Sequence, residues 1–285
     1  MTWLPLALLA TFMMTAINFG DKFIVERAVP DARAVPGYMA LTSAIFGLAL
    51  WLLLGGGVDL PTLDGFAIVL GGFITLFGVY FYIRAMSAEE ASRIIVFTQT
   101  QPILILILSA IFLGERLNAQ QLVGFALILT AAIGASLVRS AQVGEAKRPA
   151  SFAGLINVFV AGLFWSSAVV LQAGAINRLD LSLQGLAIVS ALNSMGYSIG
   201  GLALYLVVPH LRRVFIQRWQ ISGPRPLLAI SVIEGAFVLR QVVFYAALAA
   251  GPAALIAVVG STNVFFGIGM GWALMRLAQI GRAHV

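Results

Sequence analysis

The sequence predicts an all-α fold, a polytopic helical bundle in a membrane. Nine apolar stretches of about 20 residues fill most of the chain, and about 20 helical residues cross a bilayer core of ~30 Å. Hydrophobic residues occupy 61% of the 285 positions and charged residues 10%, against roughly 25% in soluble domains. The stretches lack the alternation of barrel strands. We expect nine spans at 4–24, 37–55, 66–85, 94–113, 121–138, 152–171, 186–208, 226–249 and 253–275.

The connections between these spans are short. The longest, 139–151 and 209–226, cannot bury a core of their own, so any binding or chemistry is expected inside the bundle. The formal net charge is +6, but the basic residues lie singly or in pairs at the ends of spans. This placement favours membrane orientation over nucleic-acid binding. The sequence has no cysteine, which excludes disulfides, thiolate nucleophiles and cysteine metal sites.

A weak internal repeat divides the chain into two halves. The run Val79-Tyr-Phe-Tyr82 recurs as Val242-Val-Phe-Tyr245, 163 positions later, and Thr98 aligns with Ser261 at the same offset. Five spans per half would leave two tandem copies upside down relative to each other, as in many transporters. We therefore expect one five-helix repeat at 1–139 and a second at 152–279. The second repeat ends after its fourth helix, so that nine of ten expected spans are present.

The last six residues, 280–285, have the sequence encoded by ATC GGA AGA GCA CAC GTC, a common sequencing-adapter sequence. We interpret them as translated adapter. On this interpretation the native part of the printed sequence ends near Ala278, and we expect the natural protein to continue into a tenth apolar span.

Several motifs of the first half carry a family resemblance. A Tyr82-x-Arg-Ala-Met-Ser-Ala-x-x-Ala91 stretch precedes Thr98-Gln-Thr-Gln-Pro102 and then Phe112-Leu-Gly-Glu-Arg-Leu117. Together they resemble the first repeat of EamA-like carriers in the drug/metabolite transporter superfamily. The resemblance implies ten spans in two inverted repeats and secondary-active transport, with export of small polar or amphipathic metabolites such as amino acids or drugs. It also implies a bacterial inner membrane and no cofactor. Phe19 departs from the pattern, because relatives often have Trp there.

The orientation of the chain in the membrane stays open. Lys and Arg collect in alternate connections, and taken alone this distribution places the N-terminus outside. The arrangement usual in EamA-like carriers places it inside.

Two charged residues lie within the eighth predicted span. Glu234 and Arg240 are six positions apart, which places them about 120° apart around a helix, so they are not a stacked pair. Charged groups inside lipid usually face a cavity or a partner. Arg240 could be the counter-charge for a substrate carboxylate and Glu234 a coupling residue that accepts a proton or cation. Alternatively, each could form a structural bridge to another helix.

Polar clusters occur at matched places in the two halves. Gln99 and Thr100 precede Pro102, which removes a helix hydrogen bond and can free a carbonyl for a ligand. Thr262 and Asn263 occupy the matched place, although such residues also join helices. We expect a midplane site for a small-molecule substrate, without a metal. The candidate substrate-binding residues are Gln99, Thr100, Trp165, Asn193, Tyr197, Arg240, Thr262 and Asn263.

Four other residues have simpler interpretations. For Asp21, at the end of the first span, we favour the headgroup region over a cavity. Tyr82 and Tyr245, near helix ends, are typical of interfacial anchors. Glu115 follows Gly114, which can end a helix, and we expect it to fix a local turn.

Two other function classes remain as alternatives to a transporter. An intramembrane enzyme would need a nucleophile or a metal set, but His210 is the one histidine outside the last six residues, and no hydrolase or zinc motif is present. We therefore expect no enzymatic activity. A structural membrane subunit is the second alternative, and the matched polar clusters argue against it.

Overall fold

The computed structural model of this chain describes residues 2–24, 29, 31–56, 61–88, 94, 97–143 and 152–283. Among these residues there are helices and no strands. Ala91 and Val96 of the repeat and motif comparison, the link 144–151 and the final residues 284–285 lie outside the described residues. The helices are α1 Trp3–Phe23, α2 Val35–Leu53, α3 Thr62–Ala88, α4 Gln101–Phe112, α5 Ala119–Val143, α6 Phe152–Ile176, α7 Leu183–Val207, α8 Pro209–Ser222, α9 Arg225–Ala250, α10 Ala253–Gly260 and α11 Asn263–Ala283.

The all-α membrane bundle is confirmed, with one difference in the fourth predicted span. Within the described ranges, eight helical segments are long and apolar enough to cross a membrane, and α10 with the start of α11 forms one of them. The described helix of the fourth predicted span, α4, has only 12 residues. At 1.5 Å per residue it is about 18 Å long, shorter than a bilayer core of ~30 Å. The helix is interrupted just before Pro102, because proline has no N–H to donate and restricts the residue before it.

A further helix, α8, occupies the region that the sequence analysis left as a connection. It begins at Pro209 and ends before Gly223, whose φ of +58° suits glycine. Leu211 and Val214 are buried on one side, whereas Arg212 and Arg213 are exposed. α8 contacts the 3-10 turn Ala32–Ala34 that precedes α2. Its three arginines hide it from a search for apolar spans, but its buried face packs as an amphipathic helix does.

Helices α3 and α7 pack closely through glycine. A Cβ atom added at Gly72 would lie 2.1 Å from the carbonyl oxygen of Asn193, and one at Gly196 would lie 2.0 Å from that of Val69. Neither position can accept a side chain without separating the helices. Small residues allow such close approach in membranes. The glycine-rich run in α11 differs, because a Cβ atom added at Gly269 or Gly271 would meet no atom of another described element within 4 Å.

Helix α9 packs one side against the bundle and leaves the other side exposed. It contacts α1, α2, α6 and α7, and its buried residues include Ile230, Val238 and Leu248, whereas Leu228, Val232 and Leu239 are exposed. The two charged residues predicted within a span, Glu234 and Arg240, both belong to this helix. Glu234 is buried and Arg240 is half-buried.

Candidate functional site

Glu234 is buried between α9 and α2. It is 4% exposed, and its Oε2 accepts a hydrogen bond of 2.9 Å from the hydroxyl of Ser43. The partner of this carboxyl group in the described structure is thus a neutral hydroxyl on another helix. Such a contact tolerates either protonation state of the acid, since a hydroxyl can donate or accept.

Asp21 on α1 lies in the same region. Its Oδ1 is shielded from solvent and has no hydrogen-bond partner among the described residues. It is also within electrostatic range of Glu234 and Tyr197. The headgroup position favoured from the sequence is therefore wrong for this oxygen, which faces the inside of the protein.

Arg240 has no ionic partner within the described residues. Its Nε is buried without a hydrogen bond, and its guanidinium carbon lies 4.3 Å from the centroid of the Phe244 ring. The expectation that Arg240 and Glu234 are not a stacked pair is met, because Glu234 bonds to Ser43 instead. A cation over an aromatic face is stabilised by the ring, but the ring leaves the charge uncompensated.

Tyr245 lies five residues beyond Arg240, about 1.4 helical turns, and is fully buried. It is 0% exposed, and its hydroxyl has no partner among the described residues. The interfacial-anchor interpretation is wrong for this residue, because an anchor would reach the aqueous boundary. Arg240 and Tyr245 are within electrostatic range of each other. Sequence analysis did not predict this environment, because no local pattern shows which neighbours cover Tyr245.

Two helix interruptions occur at matched positions of the repeat. In the first half, Thr100 precedes α4 and its hydroxyl donates to the carbonyl of Phe97 at 2.7 Å. In the second half, Thr262 separates α10 from α11 and its hydroxyl donates to the carbonyl of Val259 at 2.6 Å. Each break is capped by a threonine that bonds three residues back. Breaks of this kind are typical of substrate sites in transporters.

The remaining residues predicted at the breaks lie close to these caps. Gln99 is buried at 5% exposure, and Asn263 begins α11 in a half-buried position. Ser261, beside Thr262, is 4% exposed and its hydroxyl has no partner within the described ranges. Polar residues thus lie at both helix breaks, and the expected ligand contact there stays a prediction.

Three predicted lining residues form contacts within the protein. The indole Nε1 of Trp165 donates to the carbonyl of Thr75 at 3.1 Å. Asn193 accepts a hydrogen bond of 2.6 Å from the amide of Gln172. The Tyr197 hydroxyl lies 3.7 Å from the sulfur of Met39. These bonds join α6 to α3 and α7, and α7 to α2, so the three side chains help to fix the helices around the interior.

Glu115 has a wider role than the expected local turn. Gly114 has a φ of +68° and follows the end of α4, as predicted. The carboxylate oxygens of Glu115 accept hydrogen bonds from the backbone N–H groups of Ala253 and Ala254, at 2.8 and 3.3 Å. Because these are the first residues of α10, the carboxylate caps a helix in the other half of the chain and complements its dipole.

Comparisons with known proteins agree with this architecture. Comparison with curated protein sequences gives no match. A solved structure described as "Crystal structure of protein" is similar, with a TM-score of 0.53 and 16% sequence identity over 93% of this chain and 96% of that chain. At this identity the likeness concerns the fold alone.

The model of the EamA-like transporter family matches residues 1–137. These residues include the Tyr82–Ala91 stretch, Pro102 and the Phe112–Leu117 run on which the resemblance was based. The recognition drawn from the sequence is therefore confirmed for residues 1–137, which match the model of the EamA-like transporter family, and the chain is an integral, multi-pass membrane protein.

Proposed function

We propose that this chain is a secondary-active transporter that exports small polar or amphipathic metabolites, such as amino acids or drugs, across a bacterial inner membrane. The observation that carries the proposal is the pair of separated charges inside one span. Glu234 and Arg240 both lie on α9 and contact different groups. Charged groups inside a membrane protein mark substrate and ion pathways more often than packing positions.

In this proposal the two halves are inverted repeats that expose a central site alternately to the two sides of the membrane. The matched interruptions before Gln101 and Asn263 support it, because broken helices expose carbonyls and polar side chains at mid-depth. Gln99, Thr100, Thr262 and Asn263 supply polar groups at the breaks. Trp165, Asn193 and Tyr197 form walls that their internal hydrogen bonds hold in place.

The two charged residues take different tasks. Arg240 binds the substrate, since a guanidinium keeps its charge in proteins and offers several donors. Glu234 couples transport to a proton or cation, because a carboxyl group can gain and lose charge. The hydroxyl of Ser43 can remain hydrogen-bonded in both states.

Flux into reconstituted vesicles tests the proposal. Vesicles with the purified natural protein, which is also the parent of the variants below, should accumulate a labelled amino acid or amphipathic drug when a proton gradient is imposed. Protein-free vesicles should not. Glu234→Gln should lose accumulation by about tenfold or more while the protein remains folded, and Asp180→Asn, an exposed acid at the end of α6, is the matched control.

An intramembrane enzyme or a structural subunit would give no substrate-dependent flux for any compound tested. Unchanged gradient-driven uptake by Glu234→Gln would remove Glu234 from the coupling step.

A further inference from the structure

We propose that Arg240, Tyr245 and Ser261 form a subsite for an anionic group, so that the transported molecule carries a carboxylate. This inference rests on the proposed transport function, but the subsite can be tested without transport. It adds Tyr245 and Ser261 to the site and narrows the substrate class from polar or amphipathic molecules to carboxylate-bearing ones.

The first argument is the state of the polar atoms. The Arg240 Nε, the Tyr245 hydroxyl and the Ser261 hydroxyl are all buried without a hydrogen-bond partner in the described part of the chain. An unsatisfied buried polar group is costly, and more so when it is charged. Three such groups within residues 240–261 indicate that something absent from the protein itself satisfies them.

The second argument is position. Helices α9 and α10 are joined through Gly251 and Pro252, and consecutive spans with so short a link run in opposite directions. At 1.5 Å per residue, Arg240, Tyr245 and Ser261 lie about 17, 10 and 14 Å from this turn. The depths of Arg240 and Tyr245 therefore each differ from the depth of Ser261 by less than one helical turn of 5.4 Å. The apolar cluster that contains Tyr245 also contains Val259, two residues before Ser261.

The third argument is charge. Two other described arginines have carboxylate partners: Arg33 pairs with Asp31 at 2.7 Å, and Arg178 pairs with Asp64. Arg212 and Arg213 have none among the described residues but are exposed, whereas the Nε of Arg240 is shielded from solvent. Among the described groups, the electrostatic partner of Arg240 is the neutral Tyr245, while Glu234 is bonded to Ser43. A charge without a partner is costly inside a protein.

The fourth argument is the chemistry of the atoms that remain free. The Arg240 Nε is a donor only, and the two hydroxyl groups can each donate one hydrogen. A set of donors with a fixed positive charge suits an anion and repels a cation. A carboxylate fits better than a neutral amide, because hydrogen bonds between ionised partners are shorter and stronger. The Phe244 ring, 4.3 Å from the guanidinium carbon, holds the arginine in place beside an apolar surface.

The test measures thermal unfolding of the purified full chain in detergent, with tryptophan fluorescence as the readout. Two carboxylates, leucine and benzoate, are each compared with the matching amide, leucinamide and benzamide. The carboxylates should raise the unfolding temperature of the parent chain, and the amides should not. Arg240→Gln should raise the carboxylate concentration needed for a given rise in unfolding temperature by at least tenfold. Tyr245→Phe and Ser261→Ala should each raise it by about threefold to tenfold. Arg213→Gln, an exposed arginine on α8, is the matched control. Chloride and phosphate arms at equal ionic strength should leave the unfolding temperature unchanged.

A second arm needs no ligand. Because the Nε of Arg240 is buried without a hydrogen-bond partner among the described residues, Arg240→Met should raise the unfolding temperature of the ligand-free protein, whereas replacing a structural arginine would lower it. A lower temperature, equal effects of acids and amides, stabilisation by chloride alone, or no carboxylate effect across the panel would each overturn the subsite. Carboxylate stabilisation without vesicle flux would retain the subsite and reject the transport function. Equal flux of amides and acids that Arg240→Gln leaves unchanged would retain the transport function and reject the subsite.

Discussion

Glu234 and Arg240 are two charged residues on one helix, α9, and they differ in their partners within the protein. Glu234 has a hydroxyl partner on a neighbouring helix, whereas the Nε of Arg240 has none among the described residues. A carboxyl group can become neutral by taking up a proton, but a guanidinium cannot release its proton in a protein. The comparison suggests that a proton can satisfy Glu234 and that Arg240 needs an anion from outside. One helix can then carry ion coupling and substrate binding at separate places.

The hydroxyl of Ser43 allows the Glu234 side of the comparison to be tested. Ser43→Ala removes the described hydrogen bond to the carboxyl group, and such a bond contributes about 0.5–1.5 kcal/mol. Gradient-driven uptake should therefore fall about threefold to tenfold, and its pH midpoint should move. Carboxylate-against-amide selectivity should not change, because that property belongs to Arg240.

Ser136→Ala is the matched control for this change, since the Ser136 hydroxyl bonds to the carbonyl of Ala132 within α5. An altered substrate selectivity in Ser43→Ala with an unaltered pH midpoint would break the assignment of separate tasks.

Glu115 is a third acidic residue and should affect stability more than transport. It accepts hydrogen bonds from the first N–H groups of α10, and caps of this kind contribute about 0.5–2 kcal/mol. Glu115→Gln should lower the free energy of unfolding by about 1 kcal/mol and leave pH dependence and selectivity intact. Denaturant unfolding monitored by tryptophan fluorescence measures the free energy of unfolding, and vesicle flux measures the pH dependence and the selectivity. A loss of proton coupling in this variant would mean that Glu234 is not the coupling acid on its own.

The sequence predicted the fold well because hydropathy and length decide which segments enter lipid. It missed α8, whose arginines and short length resemble a loop. It placed the interruption near Thr100 through Pro102. The matching interruption at Thr262 has no proline, and only the repeat offset indicated it.

The site was predicted less completely, because partners far apart in sequence decide whether a polar group is free. Trp165 and Asn193 looked available, but they bond to Thr75 and Gln172. Tyr245 looked like an anchor because its position near a helix end does not reveal which neighbours cover it. Glu115 contacts residues 138 positions away, and no local pattern encodes that contact.

The most direct test of separate tasks compares vesicle flux of leucine by four proteins: the parent chain, Glu234→Gln, Arg240→Gln and the double variant. Glu234→Gln should lose gradient-driven accumulation but keep leucine exchange between the two sides within about threefold of the parent. Arg240→Gln should lose both by about 10-fold to 100-fold, the equivalent of the ~1.5–3 kcal/mol expected for a hydrogen bond to a charged group, and the double variant should match it. Equal losses in the two single variants that are restored in the double variant would show that Glu234 and Arg240 act as an ion pair, and would contradict the account.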